Sequence, residues 1–292
     1  MPIVEVGIAL AFAAMLCWGV GDFLIQKSCR ACGDWEALFV IEVLGVIIVA
    51  PFVIPRLPVF FQAGGGVLLL LGAICVVYFI AAILDFEALR VGKLAVVEPA
   101  WSIEIPASAL LAFFILGERI DLGRIILVIF LMVGLFLVSI REKQKIKRFF
   151  VERGVILALL AGTFMGAANF FIGWGSRVTN PLFINFIASL FLAVVTGLYL
   201  IFTGRFGNIF YDFRSHINVL LPTGILDKTA WIAFAFSMTL APITIAVALS
   251  ESYIIIAVIL GLIVNREKIE FHQKLGLGLA ICSALILAAV TA

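Results

Sequence analysis

Apolar runs of roughly twenty residues recur along the whole chain, separated by short polar or charged clusters. Coiled as helix, a run of that length spans the hydrocarbon core of a bilayer. The pattern predicts ten such segments, near residues 3–26, 36–55, 66–89, 94–116, 121–140, 154–176, 180–203, 218–240, 243–264 and 272–291. The punctuation between them falls at 29–35, 55–66, 90–93, 118–123, 141–153, 179–181, 204–216, 241–242 and 265–274. Several of these connections are so short that consecutive helices must be antiparallel neighbours.

Composition agrees with that pattern. The 292 residues are 64% hydrophobic and only 13% charged, with a mean hydropathy of +1.25. That is too little charge to cover the surface of a water-soluble domain. The opening apolar run lacks a basic leader and a small-residue cleavage site, so it reads as a first helix rather than a signal peptide. Cys29 and Cys32 form a single C-x-x-C with no second pair, and His216 and His272 are the only imidazoles. Two loop thiols are expected there, with no metal site and no cofactor.

The longest charged connection, 141–153, falls at the midpoint with five segments on either side. The two halves resemble each other. WGVGDFLIQK at 18–27 aligns with MGAANFFIGW at 165–174, setting Gly19 against Gly166 and Asp22 against Asn169. LAFFILGERI, ending at Ile120, aligns with ILGLIVNREKI, ending at Ile269, so each half closes a long apolar run with a turn carrying Glu118 or Glu267. With five segments per half, the second half must enter the bilayer in the opposite sense. The expected fold is all-α and integral to the membrane, with ten transmembrane helices as two inverted five-helix repeats. The first repeat would take 1–140, the connecting loop 141–153 and the second repeat 154–292.

The WG–F stretch of the first segment and the L-G-E-R turn closing the fourth resemble the drug/metabolite transporter superfamily, specifically its ten-helix EamA-type members. The second half carries the pattern in degraded form, with Asn265-Arg266-Glu267 in place of Gly-Glu-Arg, and Pro99 stands seven residues before Pro106. The resemblance implies a transporter rather than an enzyme, with export at least as readily as import. It does not carry a substrate, because such proteins move amino acids, sugars, nucleotide-sugars, amines and drugs. No G-x-x-x-x-G-K-[ST] loop argues for ATP-driven pumping, and no G-x-S-x-G motif argues for a membrane-bound hydrolase.

Lys and Arg lie mostly on the odd-numbered connections: Lys27, Arg30, Arg90, Lys93, the 141–153 cluster, Arg205, Arg214, Arg266, Lys268 and Lys274. The other side holds Arg56, Arg119, Arg124 and Arg177. The positive-inside rule then sets the odd connections in the cytoplasm and both termini outside. Ten-helix relatives are often drawn the other way round.

Ionisable residues within the spans are the main functional signal, because each costs at least about 2.5 kcal/mol at bilayer depth without a partner or a watery cavity. They are Asp22, Glu42, Asp85, Glu87, Glu98, Glu104, Asp227, Lys228 and Glu251. Asp22 stands one turn after Trp18 on the same helix face, and its repeat counterpart Asn169 is neutral. Lys228 is expected to reach a carboxylate on another helix, with Glu98 and Glu251 as candidates, or else to hold an anionic substrate group. Glu98-Pro99 and Trp101 lie in a span that proline can bend, and with Tyr78 and Asp85 they make a candidate cation pocket. Trp231, Glu251 and Tyr253 extend the candidate site. Glu87 reads as a helix-end charge paired with Arg90, Trp35 as an interfacial aromatic, and Glu118 and Glu267 as capping or loop-latching groups. Gly19, Gly21, Gly162, Gly166, Gly276 and Gly278 read as close helix-packing positions.

These readings converge on a secondary transporter working by alternating access in the plasma (inner) membrane. Its expected substrate is a small polar or amphipathic metabolite, an amino-acid-like zwitterion or an organic amine, with a proton as candidate coupling ion. The rival readings are a passive facilitator of the same fold and a lipid-handling protein. The lipid bilayer is the expected surrounding, nucleic acid is not an expected partner, and a monomer suffices to build the cavity.

Overall fold

The computed structural model describes residues 3–57, 65–91, 100–139, 153–256 and 270–292. They form α-helices α1 (Ile3–Cys32), α2 (Asp34–Val53), α3 (Gly65–Val91), α4 (Glu104–Leu116), α5 (Leu122–Ser139) and α6 (Arg153–Val178). There follow α7 (Pro181–Phe202), α8 (Ile209–Ser215), α9 (Ile217–Leu240), α10 (Ile243–Ser250) and α11 (Phe271–Thr291). Seven of these elements are long and apolar enough to cross a bilayer, and α4, α5 and α10 belong to shorter apolar helices. The chain is thus a multi-pass membrane protein, and every expected apolar segment is mainly helical over its described part. Only α8 was not expected: it sits inside the 204–216 connection and exposes Phe210 and Tyr211. Cys29 and Cys32 lie within the last turn of α1, not in a loop, and both are free thiols. The 141–153 connection, apart from Arg153, lies outside the described residues, as do Lys93, Glu98, Pro99, Arg266, Glu267 and Lys268.

Helix ends follow from local chemistry. Asn180 accepts hydrogen bonds from the Leu182 and Phe183 amides at 2.9 and 3.4 Å, and Pro181 in the first turn forfeits no intrahelical bond, so Asn-Pro starts α7. Gly117 ends α4 in the left-handed region at φ 64°, where a side chain would be strained, and this turn directs the following Glu118 sideways.

The helix pairings obey the duplication. When α1, α2, α3, α4 and α5 are set against α6, α7, α9, α10 and α11, the most extensive pairings have their counterparts. α1 packs on α9 as α6 packs on α3, and α1 packs on α10 as α6 packs on α4. α2 packs on α7 and α5 on α11, each on its own counterpart. The last pair fixes the relative sense of the repeats. Arg124 at the start of α5 donates to the Val290 carbonyl at the end of α11 (2.8 Å), while Gln273 at the start of α11 donates to Val138 near the end of α5 (2.9 Å). Equivalent helices run antiparallel, so the repeats are inverted.

Close crossings hold the bundle where bilayer lipid offers no hydrophobic drive between helices. A Cβ on Gly134 would sit 2.6 Å from the Ala280 nitrogen, and one on Gly276 would sit 2.7 Å from the Gly134 carbonyl oxygen. Gly166 and Gly19 play the same part in the two repeats. A Cβ on Gly166 would meet the Glu104 carbonyl at 2.6 Å, and one on Gly19 the Tyr253 carbonyl at 3.2 Å. The large apolar side chains left exposed, such as Phe114, Leu69 and Phe202, face outward from the bundle, as lipid contact requires.

Polar contacts sort the connections onto two sides. At one end Asp34 and Glu36, both in the first turn of α2, meet Arg90 at the end of α3 and Arg205 after α7. Arg90 also pairs with Glu87, the expected helix-end pair. At the other end Glu118 meets Arg177 (3.4 Å), and Arg177 donates to the Met238 and Ala241 carbonyls at 2.7 and 2.8 Å. The first, third and seventh connections therefore gather at one end and the fourth, sixth and eighth at the other. Trp35 stacks on Tyr199 with ring centroids 3.8 Å apart, close to the first of these ends.

Candidate functional site

Two apolar segments are not continuous helices. Helix is interrupted by a turn at Ser102–Ile103 before α4 and by another at Glu251–Ser252 after α10, and Tyr253–Ile256 is helical again. The first turn has a plain cause: Pro106 has no N–H, so the Ser102 carbonyl loses its regular partner and takes only the Ile105 amide at 3.4 Å. The second has no proline. There Ser250 and Ser252 donate back to the Val247 and Ala248 carbonyls at 3.0 Å each, a competition with backbone bonding that loosens a helix. The two turns lie equally far before Glu118 and Glu267, so they occupy matching places in the two repeats.

Between these turns and helices α1, α2, α3, α6 and α9 lies a cavity with about 60 Å³ open to the centres of water molecules. That is room for a few waters or a very small solute. Its polar lining is Trp18, Asp22, Glu42, Tyr78, Asp85, Trp101, Glu104, Asn169, Asp227, Trp231, Glu251 and Tyr253. Ten of the twelve candidate residues named from the sequence thus converge on one space. Of the remaining two, Glu98 lies outside the described residues, and Lys228 is buried beside the cavity rather than lining it.

Lys228 corrects an expectation. Among the described residues its partner is not Glu251 but Glu42 of α2, 3.4 Å away, with the Ser189 hydroxyl of α7 at 2.6 Å; the other candidate, Glu98, lies outside the described residues. Each side chain of the ion pair is 1% exposed, and the Tyr78 hydroxyl donates to the other Glu42 oxygen at 3.2 Å. Glu42 and Ser189 lie equally far along the chain from Asp22 and Asn169, so the ammonium is held by matching positions of both repeats. A Cβ at Gly45 would overlap Lys228 Cε, so the missing side chain there is what lets the lysine stem pass.

The carboxyl groups differ in their company. Asn169 donates to Glu104 at 3.0 Å. In the matching place of the other repeat, Asp22 takes a hydrogen bond from Tyr253. Asp227 sits against Trp18 and Trp231, whose rings pack edge to face at 5.2 Å. Tyr78 packs against Trp231 at 4.9 Å, giving the cavity an aromatic wall. Asp85 and Glu251 have no hydrogen-bonded partner among the described residues, and with Asp22 and Asp227 they lie near enough to repel one another. Six carboxyl groups line the space, and no lysine or arginine does among the described residues.

Glu42 and Glu104 are intramembrane acids that the sequence reading left out of the site. The signal for Glu42 was available: it is the one charge in the middle of its own apolar run, as Lys228 and Asp227 are in theirs. Pairing isolated opposite charges would have added Glu42 to the candidate partners of Lys228. Glu104 could have been found by setting it against Tyr253 in the repeat.

Glu118 belongs to a separate structure. Its two oxygens accept the Ile243 and Thr244 amides at 3.0 and 3.1 Å, capping the start of α10, while Arg177 steadies it. Its capping expectation is met across repeats, by the helix that leads to Glu251.

A model of the EamA-like transporter family matches residues 5–140 and 152–289, two copies side by side. No curated protein matches. A solved structure titled "Crystal structure of protein" is 15% identical with a TM-score of 0.71, covering 98% of each chain, which shows the same fold. With two family domains spanning nearly its whole length, the chain belongs to the EamA-like transporter family.

Proposed function

We propose that the protein is a secondary transporter of a small organic amine, exchanging it for protons by alternating access. One observation carries the reading: the cavity gathers six carboxyl groups and several aromatic rings, while the single nearby ammonium among the described residues is consumed by Glu42 and Ser189. An amino-acid-like zwitterion would bring a carboxylate to a wall with no free cation among the described residues. An amine brings the charge that Asp85 and Glu251 lack, and aromatic faces favour organic cations. Protons neutralise the same carboxylates when the amine leaves, so the two cations compete for one negative site. That competition is what coupling requires. Glu98, whose place is not described, belongs to this proposal on its sequence position alone.

The test is flux into proteoliposomes loaded with a pH-sensitive dye, screening amines, amino acids and sugars. Amine-driven proton movement that disappears in Asp85→Asn and Glu251→Gln is the expected result. Amine movement with a silent dye replaces coupling with facilitated diffusion, and movement of amino acids or sugars in place of amines removes the substrate assignment.

A further inference from the structure

The cavity wall carries two polar atoms with no partner. The Trp101 indole nitrogen and the Asn169 side-chain oxygen are both buried and lack hydrogen bonds, and both residues line the cavity. Four other buried polar atoms lack partners, but all are serine or threonine hydroxyls and none belongs to a cavity residue. A hydroxyl on a helix can rotate to its own backbone, whereas an indole N–H points one way only.

Both residues belong to the α4–α6 crossing. Trp101 immediately precedes the turn before α4, and α6 approaches it through Gly162, where a Cβ would sit 3.3 Å from Trp101 Cα. One turn along α6, Gly166 seats Glu104, and Asn169 donates an amide hydrogen to the Glu104 carboxyl at 3.0 Å. Asn169 is thereby oriented with its oxygen left over. The crossing thus offers one unsatisfied donor and one unsatisfied acceptor among the described residues, within electrostatic reach of the partnerless carboxylates Asp85 and Glu251.

From this we infer a second subsite, at the α4–α6 crossing, that recognises an uncharged polar end of the substrate through Trp101 Nε1 and Asn169 Oδ1. A hydroxyl or a primary amide answers both atoms, since each accepts from the indole and donates to the amide oxygen. A carboxylate cannot donate to Asn169, and an alkyl end satisfies neither atom. The substrate class is therefore an amino alcohol or amino amide. This rests on the amine reading above and sharpens it.

The experiment uses four probes of matched length: propylamine, 3-amino-1-propanol, β-alaninamide and β-alanine. Each competes for uptake by the full chain in proteoliposomes. The wild type is expected to favour the alcohol and the amide over propylamine by about tenfold or more, as sites built to bond a substrate hydroxyl do. In Trp101→Phe and Asn169→Leu that ratio falls towards one. The ratio is taken within each preparation, so loss of folded protein cancels. Equal competition by propylamine and aminopropanol in the wild type overturns the subsite while leaving the amine reading intact. An unchanged ratio in both variants does the same. If none of the three cationic amines competes and β-alanine does, both readings fall together.

Discussion

Glu42 and Lys228 offer the cleanest test of how this bundle tolerates charge in its interior. The perturbation is a double-substitution cycle of Glu42→Leu, Lys228→Met and the two combined. In the single Glu42→Leu protein, an ammonium 1% exposed keeps Ser189 as its hydrogen-bond partner, and only the Asp227 carboxyl still acts on its charge. In Lys228→Met, a carboxylate equally buried keeps only the Tyr78 hydroxyl and is repelled by Asp227. Breaking a buried pair from one side costs about 3–5 kcal/mol, because the uncompensated charge stays behind. Removing both charges with similar volume is often neutral, and Ser189 can turn back to a carbonyl of its own helix.

The cycle should therefore be strongly non-additive, with the double variant more stable than either single one. For a chain of this size, roughly 2–4 °C per kcal/mol places each single variant about 6–20 °C below the parent in thermal midpoint. Unfolding in detergent micelles, followed by a buried-cysteine reagent, supplies the readout: Cys29 and Cys75 are buried and free. Coupling of about 2 kcal/mol or more is expected, within the range for contacting groups. Additive losses would refute the reasoning, because they would mean that the two charges do not depend on each other and that the contact at 3.4 Å is incidental.

Two further predictions follow from packing and capping. Gly166→Ala places a Cβ 2.6 Å from the Glu104 carbonyl, a backbone atom that cannot rotate away, so the α4–α6 crossing must part at a cost of about 1–3 kcal/mol. Gly21→Ala, with nothing within 4 Å, should be neutral or stabilising in the same unfolding assay, and equal losses in both would contradict the crossing. Glu118→Ala removes the cap from α10 and should cost about 0.5–2 kcal/mol, with hydrogen exchange accelerated first at the Ile243 and Thr244 amides. Acceleration spread evenly over the bundle would instead make Glu118 a general surface charge.

The fold was legible because bilayer thickness imposes a length on every apolar run, and an odd number of runs per repeat imposes the inversion. The site was legible in part for a related reason: charges such as Asp22, Asp85 and Asp227 are too costly in a span to be incidental. What the sequence concealed were relations between helices. Lys228 could be assigned a partner only by knowing that α2, α7 and α9 meet, and nothing local distinguishes Glu42 from Glu98 or Glu251 as that partner. The turn at Glu251–Ser252 was equally hidden, since serine back-bonding leaves no mark as plain as a proline. Pro106 did leave a mark, but it breaks the helix four residues before itself, at the carbonyl it fails to serve.

The repeat also explains why the cavity is asymmetric. Asp22 and Asn169 occupy one pair of matching positions, Tyr253 and Glu104 another, and the first repeat thus contributes both acids and the second both neutral donors to two crossed hydrogen bonds. The acids stand on the first and fourth helices of the first repeat. A perfect duplication would make the two ends of an inverted bundle equivalent, and exchange of conformation between repeats would then cost nothing and prefer nothing. Here, exchanging the repeats trades a Tyr–Asp contact for an Asn–Glu contact, with Glu251 in one turn opposed by Ser102 in the other. On the proposed alternating-access reading the two end states would differ in which carboxyl group meets the solute, and a bound cation would have unequal affinity for them. Unequal affinity is the one property by which a ligand shifts a conformational equilibrium.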